Sequence, residues 1–178
     1  MATTAAGTPY VEASDLVAGY PAVSLALANH IDTLGKVLQV VRATDSTNSS
    51  TTSTSFVDVT GMSVTITPSF STSNILLISH FLHEASGSAA EVWSTFQITN
   101  ASNTLQSGGQ GWNGTQSYSS GTAKNFLGKP TLIAWASPAS TSPVTYKLRM
   151  KSGVSVSATT IVYNVVDTGQ MFAIEVAA

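Results

Sequence analysis

Three neighbouring residues, His80, His83 and Glu84, are the first candidates for chemistry, because imidazole and carboxylate side chains bind metal ions. On one continuous strand, His80 and Glu84 would share a face and His83 would point to the opposite side. A zinc site needs three or four ligands, and two neighbouring ligands are too few. We therefore predict no metal site and no cofactor, and we expect histidines that are hydrogen-bonded within a strand or an interface.

Catalytic signatures are missing from the rest of the sequence. The 9 acidic residues form no recognisable pair like the two carboxylates that flank the scissile bond in a glycosidase. No Gly-x-Ser-x-Gly nucleophile elbow occurs. The glycines at 108–111 do not lie between a strand and a helix, as a phosphate-binding loop would. The sequence therefore predicts a protein that is not an enzyme.

Sugar binding is a second kind of chemistry, suggested by two aromatic residues in a glycine-rich stretch. Residues 101–124 show no hydrophobic periodicity, and a stretch of that length predicts a loop that is functional or mobile. Trp112 and Tyr118 lie in it, and exposed aromatic rings on a loop can stack on sugar faces. Both are therefore candidate glycan contacts. The alternative is that the two rings fold inward as a small core of the loop itself.

The composition limits the class of protein. Hydrophobic residues make up 43% of the 178 residues, which is enough for a substantial core. Only 9% of residues are charged, against about 25% in soluble domains, and about 50 residues are Ser or Thr. There is no Cys, so no disulfide framework is expected. Such a hydroxyl-rich surface fits a β-rich extracellular or virion protein.

Charge and hydropathy argue against nucleic acid and membrane partners. The net charge is −2, and Lys147, Arg149 and Lys151 form the sole cationic cluster, so no nucleic acid partner is expected. No apolar run approaches the roughly 18 residues that span a bilayer, so we expect no membrane insertion. The first seven residues lack the basic and apolar regions of a signal peptide. We expect assembly in the host cytoplasm and release by lysis.

A period of two dominates from residue 36 onward and predicts a β domain. Strands are expected at 36–43, 55–59, 62–67, 91–99, 131–136, 144–150, 161–166 and 172–176. Polar, turn-like spacers are expected at 45–54, 68–74 and 85–89. This pattern predicts a mainly β chain whose residues 36–178 form a jelly-roll-like antiparallel β-sandwich.

Residues 75–83 differ from the other strands because both alternating faces are apolar. A strand of this kind is covered on both sides. One face meets the opposite sheet, and the other requires a neighbouring subunit or a local loop. We predict an oligomer interface that includes Ile75, Leu77 and Phe81.

The single predicted helix lies at 20–34 and leads directly into the first strand of the β domain. Tyr20-Pro21 is a favourable helix start, and Gly35 is placed as a C-cap. Leu27, Ile31 and Leu34 form a narrow apolar stripe, which a helix of about 13 residues can bury only against another surface. We assign this stripe to the oligomer interface. Residues 1–19 are predicted to be an extended arm, so that residues 1–35 form an anchoring part.

Several segments resemble a known family, the fibre and minor structural proteins of tailed bacteriophages. The matching residues are 9–17, 20–26, 36–41, 54–58, 64–68, 74–78 and 137–146. The resemblance implies a virion structural protein, a homotrimer with an N-terminal anchor and an outward β domain. The arm would contact other virion proteins through Tyr10, Val11, Asp15, Leu16, Tyr20 and Pro21.

One departure from that family concerns length. Many fibres place long repeats or coiled coils between anchor and tip, whereas this chain has about one helix there. The resemblance therefore implies a short trimeric tail-fibre-like appendage, with host-surface glycan as a candidate partner. The alternative is a capsid decoration or head-fibre protein that coats or stabilises the head.

Overall fold

The chain divides into two compact units, Met1–Lys36 and Val37–Ala178. The computed structural model describes residues 2–3, 9–10, 24, 37–88, 91–116, 124–153 and 158–178. In the first unit, β1 (Ala2–Thr3) pairs antiparallel with β2 (Pro9–Tyr10), and Ser24 is helical. Most of the predicted arm and helix, including the stripe of Leu27, Ile31 and Leu34, lies outside the described residues.

Strands make up most of the second unit. They are β3 (Val37–Asp45), β4 (Asn48–Thr51), β5 (Val57–Ile66), β6 (Asn74–His80), β7 (His83–Gly87), β8 (Glu91–Asn100), β9 (Leu105–Gln116), β10 (Lys124–Gly128), β11 (Thr131–Ala136), β12 (Val144–Ser152), β13 (Ala158–Tyr163) and β14 (Gly169–Val176). Eight of them form one sheet, in the order β3-β14-β6-β11-β9-β8-β12-β5. The other four form a second sheet, in the order β10-β7-β13-β4. All pairings are antiparallel among the described strands, which confirms the predicted mainly β, antiparallel sandwich.

The eight-stranded sheet curls around the main core, so that its edge strands β3 and β5 approach each other. Period-two alternation drives this arrangement, since β11 and β12 bury every second side chain. The core contains the fully buried side chains Phe81, Phe96, Met62, Ile66, Ile75, Leu77, Ile98, Leu148, Met150 and Met171. Burying a side chain of this size stabilises the fold by about 1.5–3 kcal/mol.

Polar contacts join the two edge strands at both ends of the seam between them. At one end Glu175 of β14 is fully buried and accepts hydrogen bonds from the Ser69 amide (2.6 Å) and from Gln39 Nε2 (2.6 Å). Gln39 of β3 also donates to the Thr67 carbonyl just after β5 (2.7 Å). At the other end, Asp45 of β3 lies against Gly61 of β5.

The chain passes from the large sheet to the small one at Phe81–Leu82, between β6 and β7. This corrects the expectation of one strand over 75–83. The two residues at the crossing are buried, and the Phe81 ring meets the Phe96 ring edge-on at 4.7 Å between centroids. Because aromatic edge-to-face contacts are favourable, the crossing is held in the core where the sheets meet.

The predicted loop at 101–124 is largely wrong. A tight turn covers 101–104, where the Asn100 side chain accepts from the Ser102 and Thr104 amides (3.0 and 2.9 Å). β9 then begins at Leu105 and pairs with β8. The glycines that suggested a loop allow close packing instead, since a β-carbon at Gly109 would lie 3.0 Å from that of Ala134. Strands β4 and β7 also replace parts of the predicted polar spacers, and β10 has no counterpart among the predicted strands.

Candidate functional site

The outer face of the large sheet brings together apolar side chains from four strands. Register places Arg42, Phe172, Ile78 and Ile133 in one row across β3, β14, β6 and β11. The neighbouring row contains Val40, Ile174, Leu76 and Trp135. Directly paired residues lie about 5 Å apart, so each row is about 15 Å long. We call the apolar members of the two rows the outer apolar face: Val40, Leu76, Ile78, Ile133, Trp135, Phe172 and Ile174.

Several of these side chains are open to solvent. Ile133 and Val40 are each 57% exposed and Trp135 is 43% exposed. Leu76, Ile78, Phe172 and Ile174 are half-buried, because their neighbours in the rows cover part of them. A contiguous apolar surface of this kind is characteristic of an interaction site.

A polar row borders the outer apolar face on one side. It consists of Thr44, Gln170, His80 and Thr131, which face each other across the same four strands. Within it, His80 Nδ1 lies 2.9 Å from Thr131 Oγ1. Arg42 is the charged residue of the apolar rows, and its guanidinium lies 5.9 Å from the Phe172 ring centre. An apolar centre with a polar rim is the usual anatomy of a protein interface.

The predicted interface residues Ile75, Leu77 and Phe81 lie on the opposite side of the sheet. All three are 0% exposed and belong to the core of the single chain. This corrects their assignment to an oligomer interface. Both faces of β6 are apolar, and the curl of the sheet decides which one points inward. Their neighbours Leu76 and Ile78 occupy the outer apolar face instead.

The remaining predicted contact residues are described in part or not at all. Tyr10 lies in β2, and its side chain is outside the described part of the structure, as are Val11, Asp15, Leu16, Tyr20 and Pro21. Trp112 lies in β9 opposite Thr95 of β8, so its backbone belongs to a strand and not to a loop. The Trp112 side chain and Tyr118 also lie outside the described residues.

The cationic residues of β12 are engaged within the fold. Lys147 Nζ lies 2.7 Å from Asp58 Oδ2, and Arg149 Nε lies 2.8 Å from Asp58 Oδ1. Partial burial would raise the pKa of Asp58, but hydrogen bonds and charge from these two cations outweigh it and lower the pKa. The Lys151 ammonium lies 5.0 Å from the Phe56 ring centre.

His80, His83 and Glu84 do not converge. His80 ends β6 on the outer side of the large sheet, whereas His83 is buried among the rings of Phe81, Phe96 and Phe126. Glu84 lies next to Tyr163, whose pKa is raised by burial and by the charge and hydrogen bond of that carboxylate. Among the described residues, no group of three or more His, Cys, Asp or Glu is placed to hold a metal ion. The same residues include no helix long and apolar enough to cross a membrane.

Comparison with known proteins gives distant structural neighbours. No protein-family model matches the chain, and no curated protein matches it. Similar solved structures include the Gt strain of infectious bursal disease virus (13% identity, TM-score 0.31) and the VP2 subviral particle of that virus (15% identity, TM-score 0.30). Each alignment covers 82% of this chain and 38% of the other chain, so this chain spans well under half of these neighbours' length. At this identity and TM-score, the likeness carries no inference about function.

Proposed function

We propose that this chain is a structural subunit of a bacteriophage virion, a short tail-fibre-like appendage that assembles as a homotrimer. Its N-terminal arm docks on other virion proteins and its β-sandwich points outward. The observation that carries the proposal is the outer apolar face, which stays exposed on a domain whose interior is already filled. The resemblance of the arm and the first strands to tailed-phage proteins supplies the setting and the three-fold symmetry.

A second copy of the same chain is the occupant that best fits the outer apolar face, with Trp135, at the β11 end of its row and 43% exposed, lying outside this contact. The two apolar rows contain no carboxylate and one cation, Arg42, which already donates to Gln170 Oε1 (3.1 Å). Because the face carries almost no charge, it is not suited to bind a charged partner through opposite charges. In a closed trimer each subunit contacts the next through two different patches, and an apolar face bordered by Thr44, His80 and Thr131 is suited to be one of them.

The contacts of the ionisable groups favour a structural role over catalysis. Shifted pKa values cluster at catalytic sites in many enzymes. Here the carboxylates with shifted pKa values have structural partners: Asp58 pairs with Lys147 and Arg149, and Glu175 accepts from Gln39 and Ser69. We therefore propose that the protein is not an enzyme.

Virion composition tests this function. The protein should be present in purified particles, in the few copies per virion expected of an appendage, when it is measured by quantitative mass spectrometry. Deletion of residues 1–19 should leave a soluble trimer that fails to enter particles. Absence of the protein from purified virions would contradict any virion role, and normal incorporation of the deletion variant would contradict docking through the arm.

A capsid decoration or head-fibre protein is the second candidate. The predicted spacer between the arm and the β domain, residues 20–35, is short and favours a protein that lies close to the particle surface. The same mass spectrometry separates the two candidates, because a decoration protein is present in hundreds of copies per particle. Labelling the protein on the particle would show whether it lies on the head or on the tail.

A further inference from the structure

The large sheet is incomplete between β9 and β11. β11 pairs with β6 over six residues, but it pairs with β9 at a single position, Trp135 opposite Ser107. Beyond this pair, towards the end of the sheet, a groove of about 500 Å³ opens between the start of β9 and the end of β11. Its volume lies within the range of about 300–1,000 Å³ typical of small-molecule sites.

The groove combines aromatic surface with neutral polar groups. Trp135 and Leu105, which are 43% and 46% exposed, supply its apolar surface. Gln106, Ser107 and Ser137 supply an amide and hydroxyls. None of the described residues that line it carries a charge. Such a surface suits an uncharged ligand that has both an apolar face and many hydroxyls.

The polar side chains around the groove are held in place by the fold. Asn100 accepts from two backbone amides of the β8–β9 turn, and Ser137 Oγ donates to Asn74 Oδ1 (2.5 Å). Gln106 Nε2 donates to the Thr104 carbonyl (2.7 Å). Because these groups are already ordered, a ligand would lose little free energy in immobilising them.

Two bordering loops contain unusual backbone conformations. Among the described residues, the non-glycine residues with positive φ are Asn103 (66°) and Ala139 (50°). Asn103 lies in the turn between β8 and β9, and Ala139 lies in the connection between β11 and β12, so both flank the groove. Alanine in this conformation costs about 1–2 kcal/mol, and strained residues of this kind cluster at ligand-binding and switch regions.

We propose that this groove binds a neutral saccharide, with one pyranose ring against the Trp135 indole and its hydroxyls bonded by Gln106 and Ser107. The C–H groups on the face of a pyranose are weakly positive, and the face of an indole ring is negative, so the two surfaces attract. Side-chain amides and hydroxyls replace the water bound to sugar hydroxyls without introducing a charge. Use of the groove for host attachment rests on the proposed function, whereas binding itself does not.

Ile133 provides a matched control for Trp135. It lies two residues earlier on β11, on the same outer apolar face, with 57% exposure, and it does not line the groove. Loss of assembly through the outer apolar face should therefore affect Ile133→Ala at least as much as Trp135→Ala. Loss of sugar binding should affect Trp135→Ala alone.

The experiment measures binding of the full chain to neutral hexasaccharides of glucose, galactose, mannose or N-acetylglucosamine, alongside sialylated and sulfated oligosaccharides. Affinity is measured by calorimetry, and oligomeric state by light scattering. At least one neutral sugar should bind, and Trp135→Ala should weaken that binding at least tenfold, while Ile133→Ala stays within twofold. Gln106→Ala, a smaller change, should weaken binding at least threefold if Trp135→Ala fails to fold.

Three results would overturn the saccharide site: no neutral sugar binds, the anionic sugars bind more tightly, or the Trp135 and Ile133 variants lose binding equally. None of them would bear on the virion role, which the composition of particles decides. Conversely, a sugar-binding protein that is absent from virions would keep the groove assignment and refute the proposed function.

Discussion

Gly61 of β5 faces the carboxylate of Asp45 on β3, with no room between them for a β-carbon. The Asp45 side chain is buried and accepts from Thr47 Oγ1 (2.7 Å) and Asn164 Nδ2 (2.8 Å), so it has little freedom to move away. Gly61 also has a φ of 84°, which side chains other than glycine rarely adopt. One glycine thus lets the two edges of the curled sheet meet.

Replacing Gly61 by alanine should therefore destabilise the protein by about 2 kcal/mol or more, through the strained φ and the displaced Asp45 carboxylate. Chemical denaturation at pH 7 measures the effect. Gly111→Ala is the matched control, because its β-carbon would meet Leu132 at an ordinary 3.9 Å without a positive φ. We expect that control to change stability by less than about 0.5 kcal/mol. Equal effects of the two substitutions would refute the close approach.

Glu175 should make stability depend on pH in the acid range. Burial would raise its pKa, but hydrogen bonds from Gln39 and Ser69 outweigh burial and hold the pKa below the ordinary 4.5. A lowered pKa stabilises the folded state above the unfolded pKa, and this stabilisation is lost as pH falls below about 4.5 and through the folded pKa.

Glu175→Gln should show a smaller loss of stability than the wild type between pH 7 and pH 3, measured by denaturation at each pH. At pH 7 the variant should be less stable by about 1–3 kcal/mol. The substitution replaces one carboxylate oxygen by an amide NH₂ group, which cannot accept a hydrogen bond from Gln39 or Ser69. An unchanged pH profile would show that Glu175 does not titrate with folding.

Ile133→Asp should break the homo-oligomer without unfolding the subunit. The side chain is 57% exposed in the single chain, so a carboxylate there stays hydrated in a monomer but loses its water in an interface. We expect at least a tenfold higher concentration to be needed for assembly, measured by light scattering. The control Asn125→Asp places the same charge on exposed β10 of the other sheet. If both variants assemble normally, the outer apolar face is not the interface.

The pairs of Asp58 with Lys147 and Arg149 should contribute little to stability. The Asp58 side chain is 51% exposed, and ion pairs this accessible to water contribute under about 1 kcal/mol. Asp58→Asn should therefore cost less than about 1 kcal/mol at 50 mM salt and less still at 1 M salt, because salt screens the pair. Denaturation at the two salt concentrations measures this, and a salt-independent cost would point to a role other than the ion pairs.

Much of the β-structure could be predicted from the sequence, because side-chain alternation is a local property. The expected strand at 131–136 coincides with β11, and the expected strands at 144–150 and 172–176 lie within β12 and β14. The strand at 144–150 has the one-sided hydrophobic pattern of a half-buried strand, whereas β11 and β14 carry apolar side chains on both faces. The mainly β class and the antiparallel sandwich follow from such segments.

β9 could not be predicted in this way. Its glycines at 108, 109 and 111 remove the side chains whose alternation would have identified a strand. Their role becomes clear only where β9 meets β11, with the Gly109 position against Ala134 and the Gly108 position against the Ile133 carbonyl. A close approach between distant segments leaves no local pattern in the sequence.

The sequence by itself determined that β6 has two apolar faces and that one of them needs a cover from outside its own sheet. Which face points outward was decided by tertiary structure, because the curl of the sheet puts Ile75 and Leu77 in the core. Register then aligns Val40, Ile174, Leu76 and Trp135, four residues far apart in the chain, into one row. A surface assembled from four strands exists only once hydrogen bonds have fixed their pairing, so no single segment of the sequence contains it.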